Sequence, residues 1–426
     1  MNGRWHSLYD RMLSEDALRA AFRKVKQSKG APGVDGQTVE AFEADLEREV
    51  RRLEEELRAK TYRPQPVRRV EIPKPTGGVR KLGVPAVRDR VVQQVLLNVL
   101  TPIFEPTFHP SSYGYRPKRS CHDAIAKAWL FIEQYKRRWV VDMDLSKCFD
   151  TLDHDLIIEA FRRKIADGSV LGLIRMFLTS GVKTGWDEWE ASEVGSPQGG
   201  VISPLIANVY LDAFDQWMKR HGHRIVRYAD DILILCRSRA AAEHAFRRAT
   251  AYLEGPLRLR VNREKTRLRH SDEGAPYLGV VLYTTHIEIA PEKVKRFRDK
   301  VRQLTSRRRQ GDMVRVIREL NRQLRGFGNY FRIAHWRNVF VGLMGWVRRR
   351  LRMLQLIWWK TPRRWIRRLR QIGWRNPPDW IGMRSWRASR RPEAHAAMSK
   401  AYFASLGLYD MGRLRTGCPV MKRSFS

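Results

Sequence analysis

HRIVRYADDILILCRS, His223 to Ser238, is the stretch that decides the fold. Two apolar runs, Ile225-Val226 and Ile232 to Leu235, flank the adjacent acids Asp230 and Asp231. Apolar runs broken by a short polar step predict a β-hairpin with both carboxylates at its tip. Asp is a common turn former, so an ordinary turn is the simplest reading of this stretch alone. Adjacent like charges repel, however, and a divalent cation with a taste for hard oxygen ligands would relieve them.

A second acid cluster lies upstream in RRWVVDMDLSKCFDTLDH, Arg137 to His154. Trp139 to Leu145 reads as a strand with Asp142 and Asp144 embedded in it. An acid in an apolar run needs a metal, a base or a proton, because an unpaired buried charge is expensive. Two-metal phosphoryl transfer takes carboxylates from separate strands and holds two ions about 3.5–4 Å apart. An acid at one strand end and an acid pair on a neighbouring hairpin supply that set.

Further motifs follow in a fixed order. They are SKGAPGVDGQTVEAF (Ser28–Phe42), TYRPQPVRRVEIPKPTGGVRKLGVPAVRDRVVQQVL (Thr61–Leu96), SYGYRPKRSCHDAI (Ser112–Ile125), GSPQGGVISPLIANVYLD (Gly195–Asp212), LRVNREKTRL (Leu259–Leu268), YLGVVL (Tyr277–Leu282) and LNRQLRGFGNYFR (Leu320–Arg332). With RYADDILIL and VDMDLSKCFD, this series resembles the bacterial group II intron reverse transcriptase/maturase over nearly the whole chain. The resemblance implies an α+β right-hand polymerase: fingers, a palm whose antiparallel sheet carries YADD, then an α-helical thumb or X region. It implies an N-terminal extension over residues 1–28, fingers and palm over 29–285, thumb/maturase over 290–370, and a small basic nucleic-acid-binding tail over 371–426.

Carried over by position, Asp144 and Asp230 are the expected primary ligands of two Mg²⁺ ions, with Asp231 the supporting acid. Asp142 shares a face with Asp144 by the period-two rule, but is expected to be solvated or Arg-paired. Phe149, five residues after Asp144, would lie beneath the incoming sugar and exclude a 2′-hydroxyl; outside that context it reads as a core Phe. Lys74 and Arg80 flank a Pro-Thr-Gly-Gly turn and would bind the triphosphate, unless they are merely solvated hairpin cations. Gln198, in the Ser-Pro-Gln-Gly-Gly loop, would read nucleotide and template, or mark a loop-to-helix junction. Lys265 would reach the triphosphate. Tyr277, Leu278 and Gly279 resemble the primer grip.

Composition agrees with a polyanion partner. The 426 residues carry a net charge of +37, and from Pro291 onward 35 Lys and Arg face 7 Asp and Glu. That third also holds 8 of the 14 Trp. Cations interleaved with aromatics suit RNA, because cations track phosphates and rings stack on bases. Arg348, Arg349 and Arg350, and Arg363, Arg364, Arg367 and Arg368, are the expected phosphate contacts, with Leu351, Leu354 and Ile357 as core. Cys121, Cys148, Cys236 and Cys418 lack zinc spacing. No apolar run reaches the ~18 residues of a membrane span. A cytoplasmic, bacterial, nucleoid-associated protein is expected.

The expected activity is RNA-directed DNA polymerisation with dNTP on an RNA template from a DNA primer, plus binding of structured intron RNA to assist splicing. Two other readings stay open: a maturase with a vestigial polymerase, and a domesticated enzyme of repair, defence or CRISPR adaptation. The family's His-Asn-His endonuclease pattern is not seen; His395 and Cys418 are solitary, so second-strand cleavage is not expected. The segment LRGFGNYFR reads as a turn between helices. Sequence leaves the oligomeric state open.

Overall fold

The computed structural model describes residues 3–73, 77–184, 188–190, 194–197, 199–376 and 388–418. Lys74 and Gln198 lie outside the described residues. The chain divides into two compact units: residues 1–128 with 137–269, and residues 129–136 with 270–426. The second unit thus takes in residues 270–285, expected with fingers and palm, as well as 290–370.

The first unit holds two four-stranded sheets. The palm sheet contains the hairpin Arg224–Tyr228 and Asp231–Cys236, flanked on the far side by Trp139–Met143 and then Arg267–His270. Ile232, Leu233, Ile234 and Leu235 are all fully buried. Their strand is central and covered on both faces, which is why it reads as a continuous apolar run rather than an alternating one. The helix Ser203–Arg220 spans 18 residues. It packs with His154–Arg162 and Val87–Phe104 into one apolar core that includes Leu96, Phe161, Phe214 and Ile234.

The fingers sheet pairs Val67–Pro73 with Val79–Val84 in antiparallel register, Pro73 opposite Val79, with Gly77 and Gly78 at positive φ in the turn. The N-terminal segment forms a 3₁₀ turn, Tyr9–Met12, and a helix, Glu15–Gln27, capped by the Ser14 hydroxyl.

The second unit is mainly helical and contains a three-stranded antiparallel sheet spanning Ala275 to Ile289. One expectation is corrected here. LRGFGNYFR is not a turn; it is the end of a continuous helix, Met313–Phe331. A buried stripe of Val316, Ile317, Leu320 and Leu324 holds that helix together. Tertiary packing thus overrides the weak helix propensity of Gly326 and Gly328. Gly328 also has a positive use, since a Cβ there would stand 2.8 Å from Leu414 Cδ1.

Residues 388–418 lie back on this helix. Asn321 Nδ2 donates to Gly407 O (2.7 Å) and Tyr409 N donates to Asn321 Oδ1 (2.9 Å). These contacts tie the segment to the rest of the second unit. Among the described residues, no helix is long and apolar enough to cross a membrane.

Candidate active site

The palm register gathers the acids. Met143 pairs with Ile232 and Asp142 with Leu233. One further step along this antiparallel ladder sets Asp144 opposite Asp231, and directly opposed residues share a face. Asp142, two residues from Asp144, lies on that face too. Asp230 sits in the turn between the hairpin strands, after Ala229 at φ 58°.

Electrostatics record the crowding. Burial pushes the Asp230 carboxyl upward and Asp144 adds to it, while Arg80 and Arg227 pull it down. Loss of surrounding water, then Asp230, Asp142 and Asp144, push Asp231 upward as well. The Asp231 residue as a whole is exposed, so solvent screens part of that repulsion. Burial drives Asp142 up to about 6, with Arg269 opposing and Asp144 reinforcing. Asp142 is therefore half-buried, not simply solvated, and belongs to the acidic face; Arg269 is the cation that tempers it.

The acids open on a cleft of about 2400 Å³, lined among others by Arg80, Lys81, Asp144, Phe149, Pro197, Asp230 and Lys265. Lys265 Nζ lies 3.6 Å from Asp144 Oδ2. A short antiparallel bridge, Leu145 with Val261, brings its loop there, and Asn262 N donates to Asp144 O (2.8 Å). Phe149 is only 7% exposed, and the Tyr115 ring meets it edge-on at 6.4 Å.

The loop through Gly195 and Ser196 is stitched to the Phe149 turn. Ser196 N donates to Phe149 O and Gly195 N to Leu152 O, both at 2.7 Å. Gly195 must be glycine: its φ is +90°, and a Cβ would stand 2.8 Å from Asp150 O. Gly199 likewise lets the loop pass Gly83 O, where a Cβ would sit at 2.5 Å. Gln93 Oε1 accepts from Val201 N (2.7 Å), and His154 Nε2 lies 2.7 Å from Gly195 O. Sequence reading missed Gln93, His154 and Tyr115. Only their nearness in space marks them.

Among the described residues, no group of three or more acidic, His or Cys side chains stands close enough to cage an ion as it is. The donor set nonetheless fits Mg²⁺: hard carboxylate oxygens, mutually repelling, at the edge of an open cleft where water and phosphate complete a shell.

In the second unit, the Tyr277-Leu278-Gly279 turn has Leu278 at φ 48° and Gly279 at φ 82°, and Tyr330 Oη donates to Leu278 O at 2.7 Å. The two arginine runs differ. Arg350 Nε donates to Thr305 Oγ1 and its Nη2 to Thr305 O, both at 2.9 Å, and Arg348 faces Asp410 at 3.9 Å. Arg348 to Arg350 are half-buried, whereas Arg363, Arg364 and Arg367 are exposed. Arg368 stacks on Tyr402, 5.4 Å from the ring centre. Leu351 and Leu354 are core, and Ile357 is half-buried.

A right-hand palm with paired acids on a hairpin and a gate-like aromatic defines the class of RNA-directed DNA polymerases, and the comparisons agree. The family model for reverse transcriptase (RNA-dependent DNA polymerase) matches residues 72–282, and that for the group II intron maturase-specific domain matches 294–374. The chain is 37% identical over 302 residues to Protein YkfC of Escherichia coli K12, covering 62% of this chain and 79% of that protein. It is 29% identical over 339 residues to the group II intron-encoded protein LtrA of Lactococcus lactis, covering 64% of this chain and 56% of LtrA. An apo telomerase structure from Candida tropicalis aligns at 11% identity and TM-score 0.44, over 80% of this chain and 62% of its own. The chain belongs to the group II intron reverse transcriptase and maturase family.

Proposed function

We propose that this chain copies RNA into DNA from a primer by two-metal phosphoryl transfer, and that it binds intron RNA to assist splicing and mobility. The observation that carries the polymerase reading is the register that brings Asp144 to Asp231 beside the Asp230 turn. In this reading Asp144 and Asp230, supported by Asp231, hold two Mg²⁺ ions. Bound there, the ions lower the pKa of the primer hydroxyl and neutralise charge on the transferring phosphoryl group.

The chain's own residues do the rest. Phe149 closes the space a 2′-hydroxyl would need. Arg80 and Lys265, both lining the cleft, meet triphosphate oxygens as a planar fork and a point charge respectively. Lys74 and Gln198 keep their proposed roles at triphosphate and template. The Tyr277–Gly279 turn is the proposed primer grip. The exposed arginines of the helix Pro362–Gln371 hold RNA phosphates.

Primer extension on an RNA template with dNTP and Mg²⁺ tests this, with wild type beside Asp230→Ala. Extension by wild type alone is expected, with RNA binding equal in both. A folded, RNA-binding wild type that extends nothing overturns the polymerase reading. Splicing of a group II intron by Asp230→Ala, with DNA synthesis lost, is the expected sign of a separate maturase role.

A further inference from the structure

Directly under the acid turn lies a polar cluster that the mechanism above does not use. Arg227 and Asp215 are both fully buried. Arg227 Nε donates to both oxygens of Asp215 at 2.9 Å, and Nη2 donates to Oδ2 at 2.6 Å. A buried ion pair is poor evidence for stability, because desolvating both charges offsets much of their attraction. The remaining guanidinium nitrogen suggests another purpose.

Arg227 Nη1 donates to Ala229 O at 2.9 Å and to Asn208 Oδ1 at 3.0 Å. Asn208 in turn donates from Nδ2 to Gly114 O at 2.9 Å. Gly114 lies flat on the same turn: a Cβ there would stand 2.2 Å from Ala229 N. The backbone of Arg227 is tied on both sides, its N–H to Ser111 O (2.9 Å) and its carbonyl accepting from Tyr113 N (2.8 Å).

Two of these contacts reach Ala229 directly, the Arg227 Nη1 bond to its carbonyl and the approach of Gly114 to its amide, and Ala229 has φ 58°. A residue with a Cβ avoids that left-handed region unless its surroundings hold it there. Its direct successor is Asp230.

The geometry points to Arg227 as a positioning residue: with Asp215 and Asn208 it holds Ala229 in the left-handed conformation that aims Asp230 into the cleft. The inference rests on the reading of Asp230 as a catalytic acid. The ion pair fixes the guanidinium, and the guanidinium's free edge fixes the turn. Misplacing a catalytic group by about 1 Å can lower turnover on the order of a hundredfold.

The test is steady-state primer extension on four variants whose folding is checked by thermal melting. Arg227→Met with Asp215→Leu removes both charges together, so no lone charge is left buried. We expect its kcat to fall roughly tenfold to a hundredfold, with the KM for dNTP nearly unchanged. Adding Ala229→Gly removes the steric cost of positive φ and should restore about fivefold of that loss or more. Ala229→Val, with the arginine intact, should lower kcat in the same way and covers the case in which the charge-free variant does not fold.

Unchanged turnover in the charge-free variant, unchanged turnover in Ala229→Val, or no rescue by glycine in a folded background each overturns the inference. Asp230→Asn is measured beside them. Full activity there overturns the reading of Asp230 itself, a different failure from that of the arginine.

Discussion

In the palm, Asp142, Asp144, Asp230 and Asp231 crowd together, Asp144 and Asp230 lining one cleft with a few placed cations, whereas residues from Pro291 onward carry 35 Lys and Arg against 7 Asp and Glu. The palm's charges are individual: each acid is set by strand register, and each neighbour acts on a named partner. The C-terminal charges look interchangeable in sequence and are not so in space. Arg348 to Arg350 turn partly inward, and Arg350 spends its hydrogen bonds on Thr305. Arg363, Arg364 and Arg367 lie on the face opposite Trp365 and Leu369, both fully buried. Net charge announces a polyanion partner; helix phase decides which cations can meet it.

The sharpest break of this comparison is a palm acid. Asp144→Asn keeps shape and removes charge. DNA synthesis should fall on the order of 10³-fold or more, with RNA affinity within twofold by filter binding. A loss of RNA affinity matching the loss of synthesis would erase the division between the two regions.

Phe149→Ala should come next. The ratio of dNTP to rNTP use in single-nucleotide extension should drop roughly tenfold to a hundredfold. Its ring is buried, so Phe149→Val serves as a milder partner if the alanine variant is unstable. Unchanged discrimination would return Phe149 to a packing role.

In the basic unit, Arg363→Ala, Arg364→Ala and Arg367→Ala combined should weaken RNA binding. The slope of log affinity against log salt should become shallower by about 2 to 3. DNA synthesis at saturating template should hold near wild type. An unchanged slope would show that these exposed arginines do not meet phosphate.

The smallest effect separates the two arginine runs. Arg350→Ala should cost about 1–3 kcal/mol of stability in urea melts, since Thr305 is buried and loses its donors. Its salt slope should change by less than about one phosphate contact. A large slope change with unchanged stability would put Arg350 on the RNA surface after all.

Much of the palm was legible because its chemistry demands residue types at set spacings. The acid pair between apolar runs predicted the hairpin, and the strand from Trp139 predicted its partner. The Gly-Gly turn between Val67–Pro73 and Val79–Val84 was equally plain. Period two placed Asp142 on the face of Asp144 but not its depth, which burial among its neighbours sets. The helix through Gly326 and Gly328 was missed because Gly328 answers to Met411 and Leu414, contacts from far along the chain.

The sequence by itself determined the family and the class of reaction, because these depend on local patterns repeated in a fixed order. Tertiary structure alone decided which arginines face outward, how residues 388–418 fold back, and what holds the YADD turn. Those outcomes depend on long-range contacts: Arg227 on Asp215 and Asn208, Gly114 on Ala229, Gly195 on Asp150. No local window announces these relations, since burial and register are properties of the assembled chain.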